Sequence, residues 1–286
     1  MPSFSILCVN LGNLEIKYFD EKYKNKLASR NVERRITRRI RKLQPDIVVY
    51  QESIGCLEYI GKDPEHPQIR RMLGEDYTIV TDKRSQFDGI AVKISAGRIL
   101  GCKPRHYLQN KHTERQGNAC DRDFSSQVAA IQLTDGFTFD LACFHLHNIN
   151  VECRVNTLFN MFIGNPNKNK PALLQQRNIL IAGDFNLDPW RQDDRSVQVF
   201  KEITARGWDG CEIRFHNRIG MDSLPELTSI FPFFSRTIDL AASNFATGIL
   251  DTLGITPGTE RLDGGKGCDH HALFGRLEYE LPAELI

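Results

Sequence analysis

Residues 178–186 read Asn-Ile-Leu-Ile-Ala-Gly-Asp-Phe-Asn. The apolar run Ile179 to Ala182 follows a loop rich in Gly, Asn and Pro, Gly164 to Pro171, and predicts a buried strand over Asn178 to Ala182. It breaks off into Gly183-Asp184-Phe185-Asn186, placing a carboxylate and an amide where the strand leaves the core. Taken alone, Asp-Phe-Asn after a strand is also a turn or helix N-cap pattern.

The same arrangement recurs along the chain. Phe4 to Val9 is an apolar run ending at Asn10, before the turn-forming Leu11-Gly12-Asn13. Ile47-Val48-Val49-Tyr50 predicts a second strand, carrying Gln51-Glu52 at its end. Thr134-Asp135-Gly136 marks a hairpin leading into Phe137 to His147, where Phe139, Leu141, Cys143, His145 and His147 share one face. Thr237 to Ala242 contains Asp239, and His271 to Glu278 follows Asp269-His270. Polar and acidic side chains are uncommon at such positions unless they are paired or bind something. Strand ends meeting at one cleft would supply carboxylates for a divalent cation, amides for phosphate oxygens and imidazoles for proton transfer.

Between these runs, Gly89 to Ile94 and Gln127 to Leu133 predict further strands. The spacing of Val32, Ile36, Ile40 and Leu43 predicts an amphipathic helix over Arg30 to Leu43, its remaining positions crowded with arginine and read as a solvated face. Val151 to Ile163 and Ser196 to Arg206 predict two more helices, the second stopped by Gly207. Arg154, at a helix start, reads as a surface residue, and His147 as a hydrogen-bonded structural histidine. Trp190 is expected at the mouth of the site, where it stacks on a base or packs a loop. The polar stretch Gly101 to Ser126 reads as a surface loop near the substrate.

Bulk properties narrow the class. A 286-residue chain with 41% hydrophobic and 26% charged residues can bury a large core, and we expect one domain over residues 1–286. A net charge of +1 does not mark a dedicated nucleic-acid binder, so local patches must be judged separately. The eight cysteines form no Cys-x-x-Cys pair, which argues against a zinc knuckle or a thioredoxin-type motif; Cys8 and Cys143 read as reduced core residues. No segment approaches the roughly 18 apolar residues needed to cross a bilayer. The first residues lack the basic start and apolar stretch of a secretory signal, which leads us to expect a cytoplasmic protein.

Six pieces in order, Val9-Asn10, Asp46 to Glu52, Phe144-His145-Leu146, Gly183 to Asn186, Arg236 to Leu240 and Cys268-Asp269-His270, resemble the endonuclease/exonuclease/phosphatase superfamily, whose best-known fold is that of DNase I. The resemblance spans nearly the whole chain. It implies an α/β (α+β) four-layered sandwich, two mostly antiparallel sheets packed together with helices on the outer faces. It also implies a magnesium-dependent hydrolase, with manganese as an alternative ion. Glu52 would be the principal metal ligand, assisted by Asn10 and Asp269. Asp184 would orient and deprotonate the attacking water, and Asn186 would donate to a phosphate oxygen. His270, fixed by Asp239, would stabilise the transition state, while His145 would contact the phosphate or protonate the leaving oxygen; Asn10 joins His145, Asn186 and His270 around the phosphate.

Two positions separate the branches of this superfamily. The apurinic-endonuclease branch places an aspartate where this chain has Gly12 and lacks a histidine at the position of His145, so His145 leans toward the branch of DNase I, the lipid and inositol phosphatases and the tyrosyl-DNA phosphodiesterases. The expected substrate is a phosphodiester in nucleic acid, cleaved by a nuclease or an end-processing enzyme. A phosphoinositide, sphingolipid headgroup or other small phosphate ester is the alternative. A catalytically silent binding module on the same scaffold is a third reading, opposed by the intact Glu52, Asp184, Asp239 and His270.

Overall fold

Apolar runs bounded by turn residues become strands, and the computed structural model describes them over residues 1–11, 26–51, 67–81, 88–103, 126–147, 150–164, 170–219, 229–230, 235–253 and 270–285. In chain order the elements are β1 (Ser3–Asn10), α1 (Lys26–Leu43), β2 (Ile47–Gln51), α2 (Pro67–Leu73), β3 (Tyr77–Thr81), β4 (Gly89–Lys93), β5 (Gly97–Lys103), β6 (Ser126–Leu133) and β7 (Thr138–His145). There follow α3 (Val151–Phe162), β8 (Ile179–Asp184), α4 (Arg195–Arg206), β9 (Arg214–Phe215), β10 (Ser229–Ile230), β11 (Ser235–Arg236), β12 (Asp239–Ser243), β13 (Ala246–Thr247), β14 (Leu250–Leu253) and β15 (Ala272–Tyr279).

Two sheets carry the architecture. One runs β13-β15-β1-β2-β4-β3, with β14 also paired to β15; the other runs β5-β6-β7-β8-β12-β9. Within each sheet only one pair is parallel among those bearing the site residues, β1 with β2 and β7 with β8. Three core clusters define the layers. Phe4, Ile6, Cys8, Ile47, Val49, Leu141, Cys143, Leu180, Ala182 and Ala241 meet between the sheets. Leu7, Val9, Val48 and Tyr50 pack outward onto Ile36 and Ile40 of α1 and Met72 of α2. Phe144, Ile181 and Leu240 pack outward onto Leu158 and Met161 of α3 and Val197 and Phe200 of α4. Strands buried on both faces read as continuous apolar runs, which is why they stand out in the sequence. The result is helix, sheet, sheet, helix, the four-layered sandwich expected.

The strands not anticipated include the short ones after α4, β9 to β11, β13 and β14, and two at the edges of the main sheets. β3 and β5 end their sheets, and with one side of the ladder open their sequences carry threonine, glycine and exposed residues such as Leu100, blurring the pattern. Gly101 to Lys103 accordingly belong to β5, while residues 104–125 of the expected surface loop lie outside the described residues.

The helices are capped as their sequences dictate. Asn150 accepts from the Cys153 N–H at 3.0 Å, and Asp194 accepts from the N–H groups of Ser196 and Val197 at 2.8 and 3.1 Å. Burial pulls the Asp194 carboxyl up, but its Ser196 and Val197 donors and the Arg154 guanidinium outweigh that and hold it below the usual carboxylate range. Arg154 corrects the surface reading: it is only 4% exposed. Its guanidinium joins the Ser196 hydroxyl at 2.8 Å, the Asp194 carboxylate at 2.8 Å and the His147 carbonyl at 3.0 Å, tying α3 to α4. His147 in turn accepts from the Asn150 N–H through Nδ1 at 3.0 Å, as expected of a structural histidine. Cys8, Cys102, Cys143 and Cys211 are free thiols and Cys153 is disulfide-bonded. Among the described residues no helix is long and apolar enough to cross a membrane.

A buried histidine links this core to pH. His216 places Nε2 2.8 Å from the Ser243 hydroxyl and Nδ1 3.1 Å from the Gly248 carbonyl. Burial lowers its pKa from 6.5 to about 4, the Gly248 contact offsetting only part of the effect. Below pH 6.5 the unfolded chain takes up a proton that the folded chain refuses. The stabilisation from neutral His216 is therefore fully present above pH 6.5 and lost as pH falls to about 4, on the order of 3 kcal/mol at most. His216→Gln should flatten the pH dependence of urea-unfolding stability across that window; an unchanged slope would assign the effect elsewhere.

Candidate active site

Register brings distant residues to one edge of the sandwich. β1 and β2 are parallel with Asn10 opposite Gln51, and β4 runs antiparallel to β2 with Gly89 opposite Tyr50, so Asp88 enters at the same edge. In the second sheet His145 lies opposite Asp184, and Asp184 opposite Asp239. β15 is antiparallel to β1, and His270 stands two residues before it. Alternation then decides direction. Asn10 continues the inward row Phe4, Ile6, Cys8; His145 continues Phe139, Leu141, Cys143; Asp184 continues Leu180, Ala182; Asp239 is in phase with Ala241. Each of these four strands thus delivers a polar side chain where the inter-sheet core opens.

The side chains interlock. Asp184 accepts from Asn10 Nδ2 through Oδ2 at 3.1 Å and from the Asn186 N–H through Oδ1 at 2.8 Å. His270 donates Nδ1–H to Asp239 Oδ2 at 2.8 Å, leaving its Nε2 3.7 Å from Asp184 Oδ2. His145 forms a second imidazole–carboxylate pair: its Nδ1 lies 3.2 Å from each oxygen of Asp88, both side chains fully buried. An ionised carboxylate only accepts, so in both pairs Nδ1 carries the proton and donates it, and Nε2 is the opposite ring nitrogen. Asp184, Asp239, His270, Asn10 and His145 are each at most 7% exposed.

The chain around Asp184 is shaped to hold it. A Cβ on Gly183, whose φ is +138°, would meet the Phe144 carbonyl oxygen at 2.1 Å, so only glycine lets β7 and β8 approach here. Asn186 adopts φ 47°, a left-handed conformation that asparagine tolerates, and its Nδ2 donates to the Leu146 carbonyl at 2.8 Å. It therefore braces the loop after β8 against the end of β7. The fully buried Asp188 accepts from the Thr237 N–H at 2.8 Å and the Trp190 N–H at 3.0 Å, fixing that loop to the start of β12. Trp190 packs edge-on against Phe215 at 5.0 Å, the loop-packing alternative.

Sequence reasoning missed Asp88, which completes the His145 pair. An aspartate beside a glycine resembles a turn, and the one available clue was its phase with the inward row Ile90 and Val92. Asp88→Asn should lower kcat about 10- to 100-fold without shifting the melting temperature by more than a few degrees; a variant with full activity would make the pair purely structural.

Glu52 and Asp269 lie outside the described residues, directly after Gln51 and before His270. The donors in view fit a hard divalent cation. Asp184, Asp239 and His270 offer ligand atoms within 4.8 Å of one another, and the Gln51 amide oxygen is buried without a hydrogen-bond partner among the described residues. A cation bound beside these groups would meet surroundings rich in oxygen, as magnesium or manganese requires, and the imidazole among them is already tied to a carboxylate. The thiols beneath are not nucleophiles: burial, reinforced by Asp239 for Cys8 and Asp88 for Cys143, pushes both well above the usual thiol range.

No family model and no curated protein sequence matches this chain. Solved structures match its fold over nearly full length. An endonuclease/exonuclease/phosphatase family protein from Bacteroides thetaiotaomicron superimposes with a TM-score of 0.65 at 14% identity, covering 98% of this chain and 99% of the other. ANGEL2, a 2′,3′-cyclic phosphatase solved with adenosine-2′,3′-vanadate, gives 0.63 at 14% identity, covering 98% and 96%. The mannosyl-6-phosphatase Bt3783 of Bacteroides thetaiotaomicron VPI-5482 gives 0.62 at 14% identity, covering 97% and 100%. At this identity the likeness establishes the fold: the chain has the endonuclease/exonuclease/phosphatase, DNase I-like architecture.

Proposed function

We propose that this protein is a divalent-metal-dependent phosphoesterase, hydrolysing a phosphodiester in nucleic acid by in-line attack of water. One observation carries the reading: two buried imidazole–carboxylate pairs, Asp88–His145 and Asp239–His270, stand at the same sheet edge as Asp184. A scaffold kept only for binding has no need to bury three carboxylates beside two oriented imidazoles. The fold's occurrence in a cyclic phosphatase and a sugar phosphatase supports phosphate-ester chemistry.

Asp184, its carboxylate oriented by Asn10 and the Asn186 N–H, positions the water and accepts its proton as oxygen bonds to phosphorus. His270 Nε2 faces the oxygens that gain charge, with Asp239 stabilising its protonated form. His145, in the protonated form that Asp88 stabilises through Nδ1–H, gives its Nε2 proton to the leaving oxygen as the phosphorus–oxygen ester bond breaks. Asn186 donates its second amide hydrogen to a non-bridging oxygen. Glu52, Asn10 and Asp269 would hold magnesium or manganese, which when bound neutralises phosphate charge and polarises the ester.

A small phosphate ester or lipid headgroup is the second reading, favoured by the near-neutral net charge of +1. An assay panel with magnesium, and again with chelator, separates them: plasmid, single-stranded oligonucleotide, 5′-tyrosyl DNA, inositol phosphates, sphingomyelin and bis(p-nitrophenyl) phosphate. Cleavage of nucleic acid that stops with chelator is the expected result. Turnover confined to inositol phosphates or sphingomyelin would select the second reading, and no turnover of any ester would overturn both.

A further inference from the structure

The outer helix of the first sheet is charged far beyond what the rest of the molecule explains. α1 holds eight basic residues and one glutamate, so with a whole-chain charge of +1 the remainder is net −6. Arg34, Arg38, Arg41 and Lys42 are exposed and fall within about 100° of helix arc. None of the four has a carboxylate within ion-pairing distance among the described residues. Arg41 donates to the carbonyls of Arg71 and Met72, which leaves its charge uncompensated.

This arrangement costs stability locally. Like charges at i,i+4, as in Arg34–Arg38 and Arg38–Lys42, each destabilise a helix. The helix dipole accounts for Arg41 and Lys42 in the last turn but not for Arg34 and Arg38. A local rule broken without local compensation points to a partner.

Position and chemistry say which partner. Gln44, just past the end of α1, accepts from Lys93 at the end of β4 remote from Asp88, so the helix C-terminus lies at the edge opposite the site. α1 therefore climbs from the far edge toward the site edge along the outer face of the sheet. Its apolar residues Ile36 and Ile40 are spent against that sheet, at 1% and 3% exposure, so nothing on the basic face inserts into a bilayer. Three of the four cations are arginines, whose forked donors match phosphate oxygens.

We infer that the Arg34–Arg38–Arg41–Lys42 stripe of α1 is a nucleic-acid phosphate track that holds substrate away from the catalytic edge. It rests on the nucleic-acid reading of that site and extends it to a second surface. The test is fluorescence anisotropy with a labelled single-stranded oligonucleotide in chelator, so that nothing is cleaved, across a salt series. The full chain is compared with its Arg34→Gln/Arg38→Gln/Lys42→Gln variant; Arg41 is left to clamp α2. Losing three phosphate contacts should reduce the slope of log K against log salt by about 2 and weaken binding at least about tenfold at 0.1 M salt. Turnover of bis(p-nitrophenyl) phosphate and the melting temperature should stay unchanged. An unaltered salt slope, or no oligonucleotide binding by the parent chain, overturns the track. So does a variant whose loss appears with phosphatidylserine vesicles or polyglutamate and not with oligonucleotide. If the parent chain binds the oligonucleotide but hydrolyses no ester, the catalytic reading fails instead.

Discussion

Asp184→Asn is expected to lower kcat by about 10³-fold or more while leaving the fold intact. The amide is isosteric, so the Asn186 N–H can still donate to its oxygen and the turn after β8 survives. What disappears is the negative charge and the lone pair that receives the proton of the attacking water. Asn10 Nδ2, which now donates to Asp184 Oδ2 at 3.1 Å, would face an NH2 group or force a flip, so the remaining oxygen is also misdirected. Because Asp184 acts only as the water's bond to phosphorus forms, KM should change little. Unchanged melting together with at least a thousandfold loss of turnover is the expected pattern; activity within tenfold of the parent would remove Asp184 from the chemistry.

A comparable loss follows from Asp239→Asn, on the order of 10³- to 10⁴-fold in kcat. His270 now donates Nδ1–H to Asp239 at 2.8 Å, which turns Nε2 toward Asp184. An asparagine can instead donate to Nδ1, shifting the proton to Nε2 and stripping the imidazolium of its counter-charge. Asp239 is a positioning residue in this account, so kcat should fall with KM held, and Asp239→Glu should recover part of the rate if the carboxylate reaches His270. A rise in KM with kcat preserved would mean that Asp239 serves binding alone. β12 should survive either change, because its backbone is braced independently by Asn217, which donates to the Asp239 carbonyl and accepts from the Ala241 N–H.

What could be read from the sequence follows from where each strand lies. Central strands such as β1, β2, β7 and β8 are buried on both faces, so their apolar runs mark them, and the polar residue that ends each run marks the edge where the core opens. Period-two alternation predicted that His145 shares the face of Phe139 and Leu141, and the structure places all three between the sheets. The edge strands β3 and β5 were illegible because half their surface is wet. Asp88 was missed because its meaning comes from His145, 57 residues away and in the other sheet. Arg154 looked like a surface cation because a helix's own sequence does not show that the cap of α4 will close over it. Asn186 shows the reverse: a residue expected at the phosphate also holds the backbone that positions it.

A crystal structure of the full chain with magnesium and inorganic phosphate tests the central claim most directly. The account predicts a metal ion beside Asn10 and one phosphate whose oxygens accept from both His145 and His270, each protonated at Nε2, with Asp184 on its open side. A phosphate bound elsewhere, or one that only a single one of these imidazoles can reach, would contradict it.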